Sequence, residues 1–184
     1  MFDNLPNTLN AGKPSNDMCK PFENLKPPLK PFVKWAGGKA QLTKKLDKLF
    51  NAENGKLFTK YCEPMVGGGA ALFYFLTKYS FDSVYINDKN KELINAYAII
   101  RDSAEDLILL LKDLQAKFWK SSTQERTEFY YNIRDKFNSS ELTHKTKLEK
   151  AAFFIFLNKT CFNGLYRVNK NGKFNVPIGL YKFR

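Results

Sequence analysis

The chain is 184 residues long and 43% of them are hydrophobic, which is enough to bury the core of one domain. Its 30 lysines and arginines outnumber 18 aspartates and glutamates, giving a formal net charge of +12. This excess is typical of a protein that binds a polyanion, although a lysine-rich composition without such a partner explains it equally well. No apolar run approaches the roughly 20 residues that cross a bilayer, and the N-terminus lacks the pattern of a secretory signal. We therefore expect a soluble, cytoplasmic protein with no membrane partner.

The cysteines and the histidine exclude two kinds of chemistry. Cys19, Cys62 and Cys161 are odd in number and far apart, so they indicate neither a disulfide framework nor a metal site. His144 is the only histidine, and a solvated loop position suits it best. We expect no bound metal and no histidine-based catalysis.

The first part of the chain predicts a leader followed by alternating helices and strands. Residues 1–30 are rich in Asn, Pro and Lys and predict a flexible leader, because they cannot bury enough surface to offset the entropy of ordering. A short extended piece is expected from Pro31. Periodicity and turn signals then predict, in order, a helix over Gln41–Phe50, a strand over Lys56–Glu63, a helix over Ala70–Tyr79, a strand over Ser83–Asn87 and a helix over Lys91–Arg101.

The second part is predicted to be helical. One helix starts at Ala104, another follows Ser121–Ser122, and a third spans Lys147–Asn158 with a nearly all-apolar centre that should be buried. The helical periodicity ends after Asn158, where aromatic, basic, Asn and Gly residues alternate. Asn171-Gly172 predicts a hairpin turn there.

The segment Glu63–Gly69 predicts a ligand-binding turn. Glycines after a parallel strand let a ligand approach the backbone, and an acid at the end of the next strand can accept hydrogen bonds from a ribose diol. Asp88 stands at that position, 21 residues after Gly67. A nicotinamide dinucleotide site requires a third glycine at the position where Leu72 stands. A nucleoside ligand without a pyrophosphate does not require a glycine there. A merely structural glycine turn remains an alternative.

A second glycine turn, Trp35-Ala-Gly-Gly-Lys39, can bring backbone amides, a cation and an aromatic edge to one ligand. The alternative is a helix entry beside a tryptophan of the core.

Together these motifs resemble those of the Dam-like (D12 class) adenine-N6 DNA methyltransferases. The chain is similar to the N-terminal portion of the members of this family. The resemblance rests on four segments in the family's order and approximate spacing: Phe32–Lys39, Glu63–Gly69, Ile86–Asn90 and Asn158–Tyr181. It implies an α/β, Rossmann-like fold that binds S-adenosylmethionine, with an incomplete sheet and an inserted helical and hairpin target-recognition region. Residues 31–103 would form the cofactor-binding part, and residues 104–184 the helical segment and the start of the recognition region.

The resemblance also implies which residues bind the cofactor. Trp35 and Lys39 would line the pocket, Asp88 would hold the ribose, and the Glu63–Gly69 loop would pass beside the methionyl part. Met65 and Gly68 depart from the family's usual residues and remain compatible with a close backbone approach. The full expected cofactor set is Trp35, Gly37, Gly38, Lys39, Glu63, Pro64, Gly67, Gly69 and Asp88.

A further set of residues is implied to contact duplex DNA. Leu165, Arg167 and Pro177 match positions that read GATC in relatives, and Phe162 and Asn163 match a pair that fills the space left by a flipped adenine. The expected DNA-binding set is Lys34, Phe162, Asn163, Leu165, Arg167, Pro177 and Tyr181. Phosphate contacts are expected at Lys170, Lys173, Lys182 and Arg184. An ordinary basic hairpin is the alternative for this segment.

The family's catalytic Asp-Pro-Pro-Tyr tetrapeptide is absent from the sequence, since the only Pro-Pro pair, Pro27-Pro28, follows Lys26. We expect a chain truncated before that motif, and therefore no catalytic residue and poor activity in isolation. The resemblance implies that the whole protein is a site-specific methyltransferase of a restriction-modification or solitary system. Its further partners would be a cognate restriction endonuclease or a downstream half of the same enzyme. The alternatives are a catalytically inactive DNA-binding fragment and one half of a split enzyme.

Overall fold

A computed structural model describes residues 8–10, 29–52, 58–139 and 141–179. The chain divides into two compact units, and the division falls between Lys89 and Asn90, whereas the sequence predicted a boundary after residue 103. Unit 1 comprises Met1–Phe32 and Gly37–Lys89, and unit 2 comprises Val33–Ala36 and Asn90–Arg184. No helix in the described part of the chain is long and apolar enough to cross a membrane.

Unit 1 contains a three-stranded sheet formed by β1 (Thr8–Asn10), β2 (Lys60–Glu63) and β3 (Ser83–Asn87), in the order β1-β3-β2. β2 and β3 are parallel, with Lys60 opposite Ser83 and Glu63 opposite Ile86. Their carboxyl ends therefore lie at the same edge of the sheet, which brings Glu63 close to the end of β3.

The strand β1 differs from the flexible leader that we predicted for residues 1–30. It pairs antiparallel with β3, with Leu9 opposite Ile86. The backbone groups along the second edge of β3 provide hydrogen-bond partners that the composition of the leader could not reveal. Residues 1–7 and 11–28 lie outside the described residues.

Two helices accompany the sheet within unit 1. A short 3-10 turn over Lys39–Gln41 precedes α1 (Thr43–Ala52), so the α-helix begins two residues later than predicted, and α2 spans Ala70–Lys78. The two helices are joined through Asp47, whose carboxylate accepts hydrogen bonds from Tyr74 and Tyr79 and pairs with Lys78. The core of the unit includes Tyr61, Val66, Leu72, Phe75 and Phe81.

Unit 2 is built around α6 (Lys147–Thr160), against which α3 (Lys91–Asp102), α4 (Ala104–Lys120) and α5 (Thr123–Ser139) pack. The centre of α6 is buried, as its apolar sequence predicted. Glu92 of α3 forms a buried ion pair with Lys150 of α6 at 3.2 Å. This α3–α6 contact explains why α3 belongs to unit 2.

The segment after α6 folds back on itself without forming a regular hairpin. Isolated antiparallel bridges join Cys161 to Ile178 and Val168 to Phe174. The turn at the tip contains Asn171-Gly172, as the sequence predicted: the backbone N–H of Gly172 donates to the Asn169 carbonyl at 2.9 Å, and that of Asn169 donates to the Lys173 carbonyl at 2.8 Å. The Asn169 side chain also accepts hydrogen bonds from the backbone N–H groups of Asn171 and Lys173. We call residues 161–179 the recognition loop, after the role that the resemblance implies for this segment.

Candidate cofactor and nucleic-acid sites

The carboxyl ends of β2 and β3 are joined by the glycine loop that the sequence singled out. The backbone N–H of Gly67 donates to the Asp88 carboxylate at 3.0 Å, and that of Val66 donates to the Asn87 carbonyl at 2.9 Å. Gly67 and Gly69 are buried and have positive φ angles of 54° and 83°. Side-chain-bearing residues rarely adopt such angles, so the path of this loop depends on glycine.

Glu63 is the centre of a buried polar network beside this loop. Lys39 Nζ lies 3.0 Å from Glu63 Oε1 and also donates to the Met65 carbonyl. The Tyr61 hydroxyl donates to Glu63 Oε2 at 2.8 Å. Burial, together with the charge of Glu63, raises the pKa of Tyr61 far above its usual value, so the hydroxyl remains a donor. Lys39 therefore holds the glycine loop as well as presenting a cation.

A cavity of about 600 Å³ lies next to this network. Lys39, Glu63 and Pro64 of the expected cofactor set line it, together with apolar side chains of α1, β2 and α2. Asp88 is not among the residues that line it. The N-terminal turn of the expected set also lies in unit 1: Gly37 has φ 72°, and Gly38 precedes the 3-10 turn.

Trp35 belongs to unit 2, whereas the other expected cofactor residues belong to unit 1. Its half-buried ring stacks on Tyr166, with ring centroids 5.4 Å apart and 25° between the planes, and contacts Phe154 at 6.2 Å. The ring is thus part of an aromatic cluster of unit 2.

Lys34 lies against the recognition loop within unit 2. Its aliphatic stem covers Gly164, where an added Cβ would come within 2.5 Å of Lys34 Cδ and 2.9 Å of its Cβ. Gly164 has φ 65° and the preceding Asn163 has φ 55°, an uncommon angle for a residue other than glycine. The side chain of Lys34 is exposed beside them.

The recognition loop exposes the residues that the resemblance assigns to base contacts. Phe162 and Leu165 are 48% and 40% exposed, although both are large and apolar. Asn163 and Pro177 are exposed as well. Tyr181, together with the expected phosphate contacts Lys182 and Arg184, lies outside the described residues.

Arg167 is exposed, yet its guanidinium has a defined direction. Nε donates to the side-chain oxygen of Asn175 at 2.8 Å, and a terminal nitrogen donates to the Asn175 carbonyl at 3.4 Å. Lys170 and Lys173 are exposed at the tip of the loop. Among the residues that the structure describes, no group of three or more His, Cys, Asp and Glu side chains is placed to hold a metal ion.

Comparison with known proteins decides the family. The model of the D12 class N6 adenine-specific DNA methyltransferases matches residues 35–184. The chain belongs to this family. It is 47% identical over 156 residues to the type II methyltransferase M.MjaIII of Methanocaldococcus jannaschii, covering 84% of this chain and 53% of that protein. It is also similar to the type II methyltransferase M1.LlaDCHI of Lactococcus lactis subsp. cremoris, with 37% identity, covering 84% of this chain and 49% of the relative.

A third relative is the DNA adenine methylase of Haemophilus influenzae, 36% identical with 87% of this chain and 51% of that protein covered. The chain thus spans about half the length of the curated relatives it matches.

Several residues that organise the two candidate sites of this family member were not found from the sequence. In unit 1 the missed residue is Tyr61. The alternation of side chains along a strand was a usable signal in the sequence, because it places Tyr61 and Glu63 on the same face of β2, where both are buried. In unit 2, three missed residues hold the backbone of the recognition loop or of Lys34 from a distance: Tyr130, Asn138 and Asn158. A fourth, Asn175, lies within the loop and accepts a hydrogen bond from the Arg167 guanidinium.

Two ionisable groups near the recognition loop have shifted pKa values. Burial, and then the nearby positive charge of Lys34, lower the pKa of Lys159. Burial raises the pKa of the Cys161 thiol to about 11. Both shifts result from the dense packing at the end of α6.

Proposed function

We propose that these 184 residues bind S-adenosylmethionine and duplex DNA as part of an enzyme that methylates the N6 nitrogen of adenine, within GATC. The observation that carries the proposal is the presentation of Phe162, Asn163, Leu165 and Arg167 on one exposed loop of a D12-class chain. An exposed aromatic ring can stack on an unpaired base, and an arginine can read guanine with two hydrogen bonds.

The residues of unit 1 fit the cofactor. Asp88 supplies a carboxylate at the end of β3 for a ribose diol, and the glycine loop has no side chains at Gly67 and Gly69 to exclude a ligand. The side-chain oxygen of Asn87 is buried and accepts no hydrogen bond from the described part of the chain, so a ligand hydroxyl or amine can donate to it. Lys39 completes the part of the proposed cofactor set that lies in unit 1.

When bound, S-adenosylmethionine supplies an electrophilic methyl group on its sulfonium. The residues of this chain would hold the cofactor, position the duplex and fill the space left by an extruded adenine. The sequence contains no Asp-Pro-Pro-Tyr tetrapeptide to accept hydrogen bonds from the adenine amine. We therefore propose that methyl transfer requires this motif from sequence outside these residues, and that the chain alone is catalytically poor.

Calorimetric titration with S-adenosylmethionine tests the cofactor part. Asp88→Ala should weaken binding by about tenfold or more, because a hydrogen bond to a charged group contributes roughly 1.5–3 kcal/mol. Asp88→Asn is the matched control for shape, since its side-chain oxygen can still accept the hydrogen bond from Gly67 N–H. This variant should bind S-adenosylmethionine less tightly than the native chain and more tightly than the alanine variant. Unchanged affinity in both variants would contradict the assignment of Asp88.

Anisotropy of a labelled GATC duplex, compared with a GTAC duplex of the same composition, tests the DNA part. Affinity should fall steeply with salt, because lysines and arginines displace condensed counterions, and the GATC duplex should bind more tightly. Equal binding of both duplexes would remove the proposed site specificity.

A second candidate is a DNA-binding protein without chemistry, which the exposed aromatic and basic side chains of the recognition loop would also support. Adding the part of M.MjaIII outside its match to this chain, as a separate polypeptide, should restore methyl transfer if the enzymatic proposal holds. Binding of both cofactor and duplex without methyl transfer under these conditions would favour the second candidate. We also propose that the partners of this protein include a restriction endonuclease that cuts GATC, as in a type II system. A duplex methylated by this chain together with the added M.MjaIII part should then resist cleavage by that endonuclease.

A further inference from the structure

Asn158 lies near the end of α6 and is only 2% exposed. Its side-chain oxygen accepts a hydrogen bond from Lys34 N–H at 2.9 Å. Its amide nitrogen donates to the Lys34 carbonyl at 2.9 Å and to the Gly164 carbonyl at 3.0 Å. One side chain therefore joins a helix, the Lys34 segment and the recognition loop.

These hydrogen bonds use both ends of the amide, a set of donors and an acceptor that only asparagine and the longer glutamine provide. Lys34 N–H needs an acceptor, whereas the Lys34 and Gly164 carbonyls each need a donor. An asparagine amide has one carbonyl oxygen and two N–H donors, which matches this set. Aspartate has the same shape without the donors, and a hydrophobic residue would remove all three hydrogen bonds, including the buried one to the Gly164 carbonyl.

The position of Lys34 depends on this contact. Its stem fills the space over Gly164, and residues Val33–Ala36 are the only part of unit 2 that precedes Asn90. Lys34 and Gly164 share Asn158 as a hydrogen-bond partner, so loss of its amide removes a contact from both at once. The exposed neighbours of Gly164 include Phe162, Asn163 and Leu165.

We infer that Asn158 is a positioning residue for DNA binding: its side-chain amide fixes Lys34 and the Phe162–Leu165 turn in one arrangement that fits duplex DNA. The inference rests on the proposed function. Asn158 is buried and acts through Lys34 and the turn rather than by touching a base. Its contribution should appear in the preference between duplexes more strongly than in binding of any duplex, because exposed lysines bind phosphates irrespective of sequence.

The test uses the full chain in three variants. Asn158→Asp keeps the shape and the acceptor while removing the donors, and Asn158→Ala removes both. Asn95→Ala is the matched control, because Asn95 is 5% exposed and donates a buried hydrogen bond to the Lys147 carbonyl between α3 and α6. Thermal unfolding is measured for each variant so that binding is compared at temperatures where all are folded.

In the DNA measurement, both Asn158 variants should lose about tenfold in the preference for GATC over GTAC duplex. Asn95→Ala should keep the native preference although its unfolding midpoint falls. An unchanged preference in the Asn158 variants, or an equal loss in the control, would overturn the inference. Complete loss of binding to every duplex in the Asn158 variants would also overturn it, since the exposed lysines would then depend on Asn158 too.

Failure of the native chain to bind DNA would count against the proposed function. Hydrogen exchange tests the inference about Asn158 in that case too, because it needs no DNA. Peptides covering Lys34 and residues 162–165 should lose protection in Asn158→Ala, and those of α3 should not. In Asn158→Asp, protection at Lys34 N–H should persist while the turn becomes more mobile, because the carboxylate still accepts but cannot donate. Native protection of both peptides in both variants would contradict the inference without reference to DNA.

Discussion

The two units hold their candidate residues by different means. In unit 1, the ends of two parallel strands and a glycine loop set the geometry, and backbone N–H groups meet Asp88 and Asn87. In unit 2, the recognition loop has only isolated bridges, and buried side chains of α5 and α6 hold its backbone. The comparison teaches that the path of the glycine loop is set by its own glycines and the adjacent strand ends, whereas that of the recognition loop depends on polar side chains distant in the sequence.

The largest effect should come from Gly164→Ala. Its φ of 65° and the close approach of Lys34 both oppose a Cβ, so we expect a loss of about 2–3 kcal/mol in the free energy of unfolding and weaker GATC binding. Gly172→Ala is the control, because φ is 72° there and no atom lies within 4 Å of an added Cβ. It should cost about 1 kcal/mol and leave DNA affinity unchanged. Equal behaviour of both variants in denaturation and anisotropy would show that the Lys34 contact is unimportant.

A smaller effect is expected from Gly69→Ala in unit 1. Gly69 precedes α2 with φ 83°, so the variant should lose roughly 1–2 kcal/mol from backbone strain. Calorimetry should also show weaker binding of S-adenosylmethionine, while the preference between duplexes persists. A loss of duplex preference with native cofactor affinity would reverse the roles that we propose for the two units.

Tyr61→Phe should lower the free energy of unfolding by about 1.5 kcal/mol, since it removes one buried hydrogen bond to the charged carboxylate of Glu63 and leaves the ring in place. Lys39 keeps its ion pair with Glu63, so cofactor affinity should fall only a few-fold. A native unfolding midpoint would indicate that Glu63 is held by Lys39 alone.

Asn175→Ala should leave stability within about 0.5 kcal/mol of the native chain, because the Arg167–Asn175 pair is exposed. It should nevertheless reduce the preference for GATC over GTAC, since Arg167 would lose its fixed direction. Retention of the full preference would mean that DNA itself orients Arg167.

The last prediction concerns pH, and its effect is the smallest of all near neutrality. Burial raises the Cys161 pKa from 9.0 to about 11, so the folded state resists formation of the thiolate. Its contribution to stability is complete below pH 9.0 and is lost as pH rises toward about 11, because the unfolded chain ionises first. Cys161→Ala should remove this pH dependence. In the native chain, alkylation followed by mass spectrometry should label exposed Cys62 at pH 8 and spare Cys161 until higher pH.

The fold was predictable where periodicity is local. β3 has its predicted bounds, and α2, α3 and α6 end within two residues of their predicted ends, because apolar spacing and turn residues define each element independently. The strand β1 was not predictable, since it depends on a pairing with β3. Likewise the Asn158 contact joins residues 124 positions apart, and no pattern within either segment indicates it.

The Asn163-Gly164 turn has a chemical consequence for stored protein. In an Asn-Gly pair, the glycine amide nitrogen can attack the asparagine side chain and release ammonia, and hydrolysis then leaves an acidic residue. The hydrogen bond from Gly164 N–H to the Cys161 carbonyl at 3.2 Å slows this attack while the loop is intact. Once it occurs, a negative charge stands beside Lys34, facing any approaching phosphate. No expected cofactor residue belongs to an Asn-Gly pair. Under the roles proposed for the two units, deamidation during storage should lower the affinity for DNA before it lowers the affinity for S-adenosylmethionine.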